Sequence, residues 1–219
     1  MDTATVNSIK VPFKVSARTA KLIGLENFSN EEGAIIELVK NTYDADSRNC
    51  ILVFDFKYIS IKQEFDEEIQ IIDKGNSKIY IIDNGIGMTD EVISNQWMTI
   101  GTDDKLYEHT SEGGRIKTGA KGIGRFALNR LGLLTDLYSF SKAKKEGYEW
   151  LVDWRDFDKQ GAVVSDVEAL LTKSDNLDLK KELLRRFSGF ERLYNLISEI
   201  SFISGTIIEI TELNDNWAE

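Results

Sequence analysis

Histidine and cysteine are nearly missing from this chain, which has one of each, His109 and Cys50. One cysteine excludes an internal disulfide, and one of each excludes a Cys/His zinc cluster and nucleophilic triads that need a further histidine. Metal chemistry is left to carboxylate and amide oxygens. The chain also lacks an uninterrupted apolar stretch able to span a bilayer, and its start, MDTATVNSIKVPFK, has no apolar core followed by a small-residue cleavage site. A cytoplasmic protein with no membrane partner is expected. Positive charge is in deficit: the net charge is -10, the wrong sign for a bare nucleic-acid or anionic-membrane binder. What remains is an ordinary globular composition, 42% hydrophobic and 29% charged over 219 residues, enough for one α/β domain spanning 1–219.

Three segments carry chemistry. The first is the run Ile79-Tyr-Ile-Ile-Asp83-Asn-Gly85-Ile-Gly87-Met88. An apolar strand without alternation is usually covered on both faces, so Asp83 at its end enters a dry interior and needs a hydrogen-bond donor. A purine amine would serve, and Gly85 and Gly87 would admit a flat ring close to the main chain. Asp-Asn-Gly is also ordinary turn chemistry, so this segment alone leaves both readings open. The second is a helix over 31–44, entered through a Ser29/Glu32 capping box, with Ile35, Leu38, Val39 and Tyr43 as its apolar face. Glu37, Asn41 and Asp44 share another face at i, i+4 and i+7. That stripe is a solvated face or a hard-cation site; magnesium takes oxygen ligands and borrows much of its shell from waters and substrate phosphates. The third is Gly119-Ala-Lys121-Gly122-Ile123-Gly124-Arg125, a glycine loop opening into a helix. Free N–H groups there, with Lys121 and Arg125, suit phosphate. The spacing is neither a Walker A loop nor a dinucleotide fingerprint.

In this order, Glu37-Leu-Val-Lys-Asn41-Thr-Tyr-Asp44-Ala-Asp46, Asp83-Asn-Gly85-Ile-Gly87-Met88 and Gly119-Ala-Lys121-Gly122-Ile123-Gly124-Arg125 closely resemble the N, G1 and G2 boxes of the GHKL superfamily: DNA gyrase B, ninety-kilodalton heat-shock chaperones, histidine kinases and MutL. Gly205-Thr206 resembles the late Gly-Thr of the adenine pocket, so the likeness runs from about Phe13 to Trp217. It implies the Bergerat fold, an α/β (α+β) two-layer sandwich with a mixed, mostly antiparallel sheet, helices on one face and an ATP lid. Strands are expected at 51–56, 79–82, 133–141, 148–154 and 206–211, helices at 17–23, 31–44, 90–97 and 124–131, and an extra strand or hairpin within 57–77. The stretch 161–203 is expected to be a helical insertion, from the spacing of Leu170, Leu171, Leu183, Leu184, Phe187, Leu193, Leu196 and Ile197, with Lys180, Lys181, Arg185 and Arg186 on a solvated face.

By resemblance, ATP or ADP is the ligand and Mg²⁺ the cofactor. Asp83 would accept the adenine amine, with Gly85, Gly87, Met88 and Thr206 around the ring. Asn41 would hold Mg²⁺, Glu37 would orient and deprotonate the attacking water, and Asp44 would support them. Gly119, Lys121, Gly122, Ile123, Gly124 and Arg125 would cradle the phosphates. Thr102 and Lys105 belong to the leading edge of a lid over 99–118. His109 falls in that lid as a surface residue. Glu37 favours the hydrolytic branches over the histidine kinases, and the start of the chain is most similar to chaperone-like and MORC-like members. The expected activity is slow ATP hydrolysis by an isolated ATPase module. Lid closure would drive homodimerisation of a larger clamp, a downstream domain would supply a Lys or Arg, and the client would be protein or DNA. A nucleotide-sensing module and an atypical GHKL kinase are the alternatives.

Overall fold

The computed structural model describes residues 12–28, 30–62, 68–101, 109–118 and 122–214. Its centre is a six-stranded sheet in the order β1-β4-β8-β5-β6-β7. The strands are β1 (Cys50–Asp55), β4 (Lys78–Asp83), β5 (Gly132–Phe140), β6 (Gly147–Asp153), β7 (Leu170–Ser174) and β8 (Gly205–Leu213), and all five pairings are antiparallel. The chain leaves β1 for a separate hairpin, β2 (Tyr58–Lys62) with β3 (Glu68–Ile72), before returning as β4.

One face of the sheet carries the main core. Ile79 and Ile81 of β4, Leu137 of β5, Trp150 and Val152 of β6 and Ile208 and Ile210 of β8 meet Leu38, Phe126, Leu128 and Leu131 from the helices above. Those helices are α1 (Ala17–Glu26), α2 (Glu31–Asp44) and the short α3 (Phe126–Leu131). Gly24 lets α1 lie on Phe126: a methyl group at Gly24 would fall 2.2 Å from that ring. The helix α2 has the expected bounds, but its cap is Asn30, whose side chain accepts from Gly33 N–H at 2.9 Å. Ser29 lies outside the described residues. Glu31 and Glu32 in the first turn complement the helix dipole. The buried stripe of α2 is Ala34, Leu38 and Thr42. Tyr43, expected in the core, is 44% exposed, and its ring receives the Arg115 guanidinium at 4.8 Å.

Alternate residues of β4 and β8, among them Tyr80, Ile82 and Ile207, point to the opposite face and form a second core. It is covered by α4 (Leu179–Arg186) and α5 (Glu191–Glu199), which contribute Leu179, Leu183 and Ile197, together with Phe187 just past the end of α4. The expected α/β layering is therefore present, with these two helices adding cover to the second face. They arise from the 161–203 stretch, which is only partly helical. Leu170 and Leu171 sit on β7, an edge strand on β6. A pair of leucines cannot distinguish helical from strand period; the open edge of β6 decides it. Arg186 is not solvated either: its side chain is 11% exposed, pairs with Glu209 of β8 and Glu182, and stacks on Tyr138 at 4.5 Å.

Two further expectations shift. The 90–97 helix widens into a π-helical segment, Val92–Trp97, closed by Met98 N–H to Ile93 C=O at 2.9 Å. The helix expected from 124 begins at Phe126, after a turn at Gly124 and Arg125. Among the described residues no helix is long and apolar enough to cross a membrane.

Candidate functional site

The strand register places three polar side chains in one row at the end of the main core. Asp83 of β4 pairs with Thr206 of β8, which pairs with Ser139 of β5. Directly opposed residues project to the same side, so all three face α2. All are buried: Asp83 is 6% exposed, Thr206 7% and Ser139 0%. Ser139 Oγ lies 3.2 Å from Thr206 Oγ1 and accepts from Met88 N–H at 2.8 Å, fixing Met88 beside the row. Nothing local in the sequence singles out Ser139; only the register reveals it.

Asp83 accepts from Gly85 N–H at 2.8 Å. Burial pushes its carboxyl up to about 7, against the lowering effect of backbone hydrogen bonds from Gly85 and Thr206. A carboxyl so desolvated, with acceptor capacity left, is suited to a donor on an entering ligand. The glycines around it have a different purpose from the one expected. A methyl at Gly85 would lie 2.4 Å from Ala45 O, one at Gly87 2.1 Å from Phe140 O, and one at Gly205 2.1 Å from Asp83 O. Gly87 and Gly205 also have φ of +66° and +140°. The chain's own carbonyls fill those places, so these glycines allow the strand ends to interlock rather than clear space for a ring.

The polar stripe of α2 meets the glycine loop. A methyl added to Gly124 would stand 3.4 Å from Glu37 Cγ and 3.6 Å from Asn41 Nδ2. Glu37 is 25% exposed at its side chain and pairs with Lys40 at 3.3 Å. The third stripe member turns elsewhere: Asp44 accepts from Thr118 N–H at 2.8 Å and from Thr118 Oγ1 at 3.1 Å. Asp46, at φ +58° just past the helix, accepts from Ser111 Oγ at 2.5 Å and Gly113 N–H at 2.7 Å. Burial pushes the Asp46 carboxyl up, but those two donors and the charges of Arg115 and Lys117 together hold it below its ordinary range. Arg115 donates to Tyr43 O at 3.1 Å and Ser47 O at 2.8 Å. The 109–118 part of the expected lid is thus tied to the end of α2, and Asp46 and Arg115 were missed by sequence reasoning. A non-glycine residue directly after a helix, where left-handed backbone is common, was the available signal.

The loop itself is described from Gly122. Ile123 packs against the main core. Arg125 does not project as a free phosphate ligand: Nη2 donates to the carbonyls of Gln96 (3.0 Å), Thr99 (2.5 Å) and Gly122 (3.2 Å). Thr102, Lys105, Gly119 and Lys121 lie outside the described residues.

The structure thus brings Asp83, Thr206, Gly87 and Met88 to one end of the sheet, and sets Glu37 and Asn41 against Gly124. Residues 28–182 match the family described as histidine kinase-, DNA gyrase B-, and HSP90-like ATPase. A stretch of 103 residues is 36% identical to the chaperone protein HtpG of Campylobacter jejuni subsp. jejuni (strain 81-176), with the same identity to that of Campylobacter jejuni subsp. doylei. The match covers 46% of this chain and 17% of the length of each relative. With most of its core, its α2 stripe and its glycine turn inside the matched region, the chain belongs to the histidine kinase-, gyrase B- and HSP90-like ATPase family and carries that family's ATP-binding domain.

Proposed function

We propose that the domain binds ATP with magnesium between the Asp83 end of the sheet and the Gly122–Gly124 turn, and hydrolyses it slowly. The observation that carries this reading is the Asp83–Thr206–Ser139 row, a buried acceptor at the end of the sheet, and Glu37 and Asn41 beside Gly124 support it. Asp83 accepts the adenine amino group, and Thr206 and the Met88 backbone border the ring. The N–H groups of the glycine turn receive phosphate oxygens. Among the described residues no three His, Cys, Asp or Glu side chains form a metal cage. An amide oxygen with waters and phosphates is the donor set magnesium prefers, and Asn41 beside Gly124 fits it. Bound there, Mg²⁺ would neutralise phosphate charge. Glu37, on the same face one turn earlier, orients the attacking water and takes its proton.

We extend the proposal to a larger clamp in which nucleotide closes the lid and joins two copies, as a module of a chaperone-like protein acting on a polypeptide or DNA client. The name of the HtpG relatives supports the chaperone-like part. Calorimetric titration with ADP and a non-hydrolysable ATP analogue, with and without Mg²⁺, tests the site. Saturable, magnesium-assisted binding is expected, and its absence refutes the reading. Phosphate release that persists in Glu37→Ala would remove Glu37 from the chemistry.

A further inference from the structure

Arginine at position 125 is 9% exposed, an unusual place for a guanidinium. It borders a cavity of about 50 Å³ whose walls include Trp150, Trp154 and Phe157. Nε and Nη1 are buried and meet no acceptor, and burial pulls the group down to about 10. A residue kept only for packing would be served by methionine or leucine without that desolvation. Something gained through the charge must offset it, and the geometry shows where the charge is directed.

The single nitrogen Nη2 gathers three carbonyls from two chain segments, Gln96 and Thr99 at the end of the π-helical turn and Gly122 in the glycine loop. The Gly122 carbonyl also accepts from Gly101 N–H at 3.2 Å. On the far side the guanidinium lies 6.0 Å from the Trp97 ring, which meets Trp150 edge-on at 5.9 Å. Trp150 in turn donates to Met98 Sδ at 3.1 Å. One partner of the clasp is therefore fixed to the sheet, and the other is the loop. In a trans peptide the C=O and the following N–H point in opposite directions. Holding Gly122 C=O toward Arg125 thus turns Ile123 N–H away from the guanidinium. It also fixes Gly124, two residues on, against Glu37 and Asn41.

We infer that Arg125 is a positioning residue for the phosphate end of the site: it presets the Gly122–Gly124 backbone through its three-carbonyl clasp without touching the nucleotide. The inference rests on the ATP-binding reading above. It separates phosphate affinity from adenine affinity, since the hydrogen bonds of Arg125 go to Gln96, Thr99 and Gly122 and not to the Asp83 row. Lysine cannot reproduce it fully, because one ammonium lacks the planar group that lies over Trp97 while reaching two segments.

The test is titration of the 219-residue chain with adenosine, ADP and ATP, with Mg²⁺, in wild type, Arg125→Met and Arg125→Lys. In Arg125→Met the affinity for ATP should fall by about tenfold or more while that for adenosine stays within about twofold. Arg125→Lys should recover part of the loss. Equal losses for adenosine and ATP would mean a structural residue only, and an unchanged ATP-to-adenosine ratio would mean no role; either overturns the inference. Should Arg125→Met fail to melt cooperatively, the ratio in Arg125→Lys decides alone: a selective loss for ATP supports the clasp and an unchanged ratio overturns it. Wild type that binds no adenine compound sinks the ATP reading and this inference with it.

Discussion

Replacing Asp83 with asparagine should stabilise the unliganded protein at pH 8 while abolishing nucleotide binding, and the pH dependence identifies the cause. The carboxyl ionises near 7 in the folded chain and near its ordinary 3.8 when unfolded. Between those values the folded state holds a proton that the unfolded state has released, so stability falls as pH rises through that window and levels off above it. The penalty is nil below 3.8, roughly 2 kcal/mol at pH 5 and roughly 4 kcal/mol at pH 8. Asparagine removes it and keeps a carbonyl oxygen for Gly85 N–H. Its amide nitrogen carries a burial cost of its own, about 1–3 kcal/mol, which does not vary with pH. The stability difference between variant and wild type should therefore grow in the variant's favour by about 2–3 kcal/mol from pH 5 to pH 8. In a domain of this size each kcal/mol is about 2–4 °C in melting temperature. Urea or thermal unfolding at the two pH values reads the change, and ADP titration reads the binding. A difference that does not move with pH would refute the buried-carboxylate argument. An Asp83→Asn protein that binds ADP normally would refute its role as adenine acceptor.

Four other outcomes follow from the same geometry. Glu37→Gln should lower ATP turnover by about a hundredfold or more with ADP affinity nearly unchanged, measured by phosphate release and calorimetry. Gly205→Ala should cost about 3 kcal/mol or more by urea unfolding, because the added methyl meets Asp83 O at a backbone φ of +140°. Arg115→Ala should cost about 1–2 kcal/mol and speed hydrogen exchange selectively in 109–118, the segment it ties to Tyr43 O and Ser47 O. Leu183→Ala, fully buried under the second face, should cost about 2–5 kcal/mol; a loss under about 0.5 kcal/mol would mean that α4 does not cover the sheet there.

Much of this was legible because local and long-range preferences agree. The apolar run 79–82 reads as a two-sided strand, and the 31–44 periodicity has acidic residues at its start. The difficulties came where a residue type suits two environments. Ser29 and Asn30 are both good caps, and only the position of Gly33 N–H selects Asn30. Tyr43 fits a core or a surface stacking partner, and Arg115 makes it the latter. Arg125 has the charge for a phosphate but its guanidinium is spent on three carbonyls. Leu170 and Leu171 fit a helical pattern, but the edge of β6 supplies a partner no periodicity could announce. Ser139 was invisible because its meaning lies in being opposite Thr206.

The second-face helices bear on the site as well as on stability. Ile82 and Ile207, the neighbours of Asp83 and Thr206 along their strands, point into the core that α4 and α5 close. Arg186 and Lys78 both pair with Glu209, which binds α4 to β8 three residues beyond Thr206. Without that cover, water would reach the strand ends from below and the Asp83 carboxyl would regain much of its solvation. The dry environment that lifts Asp83 toward 7 is thus built from both sides of the sheet. Part of the 161–203 stretch, with no function legible in the sequence, thus covers the reverse face of the strands that carry Asp83 and Thr206.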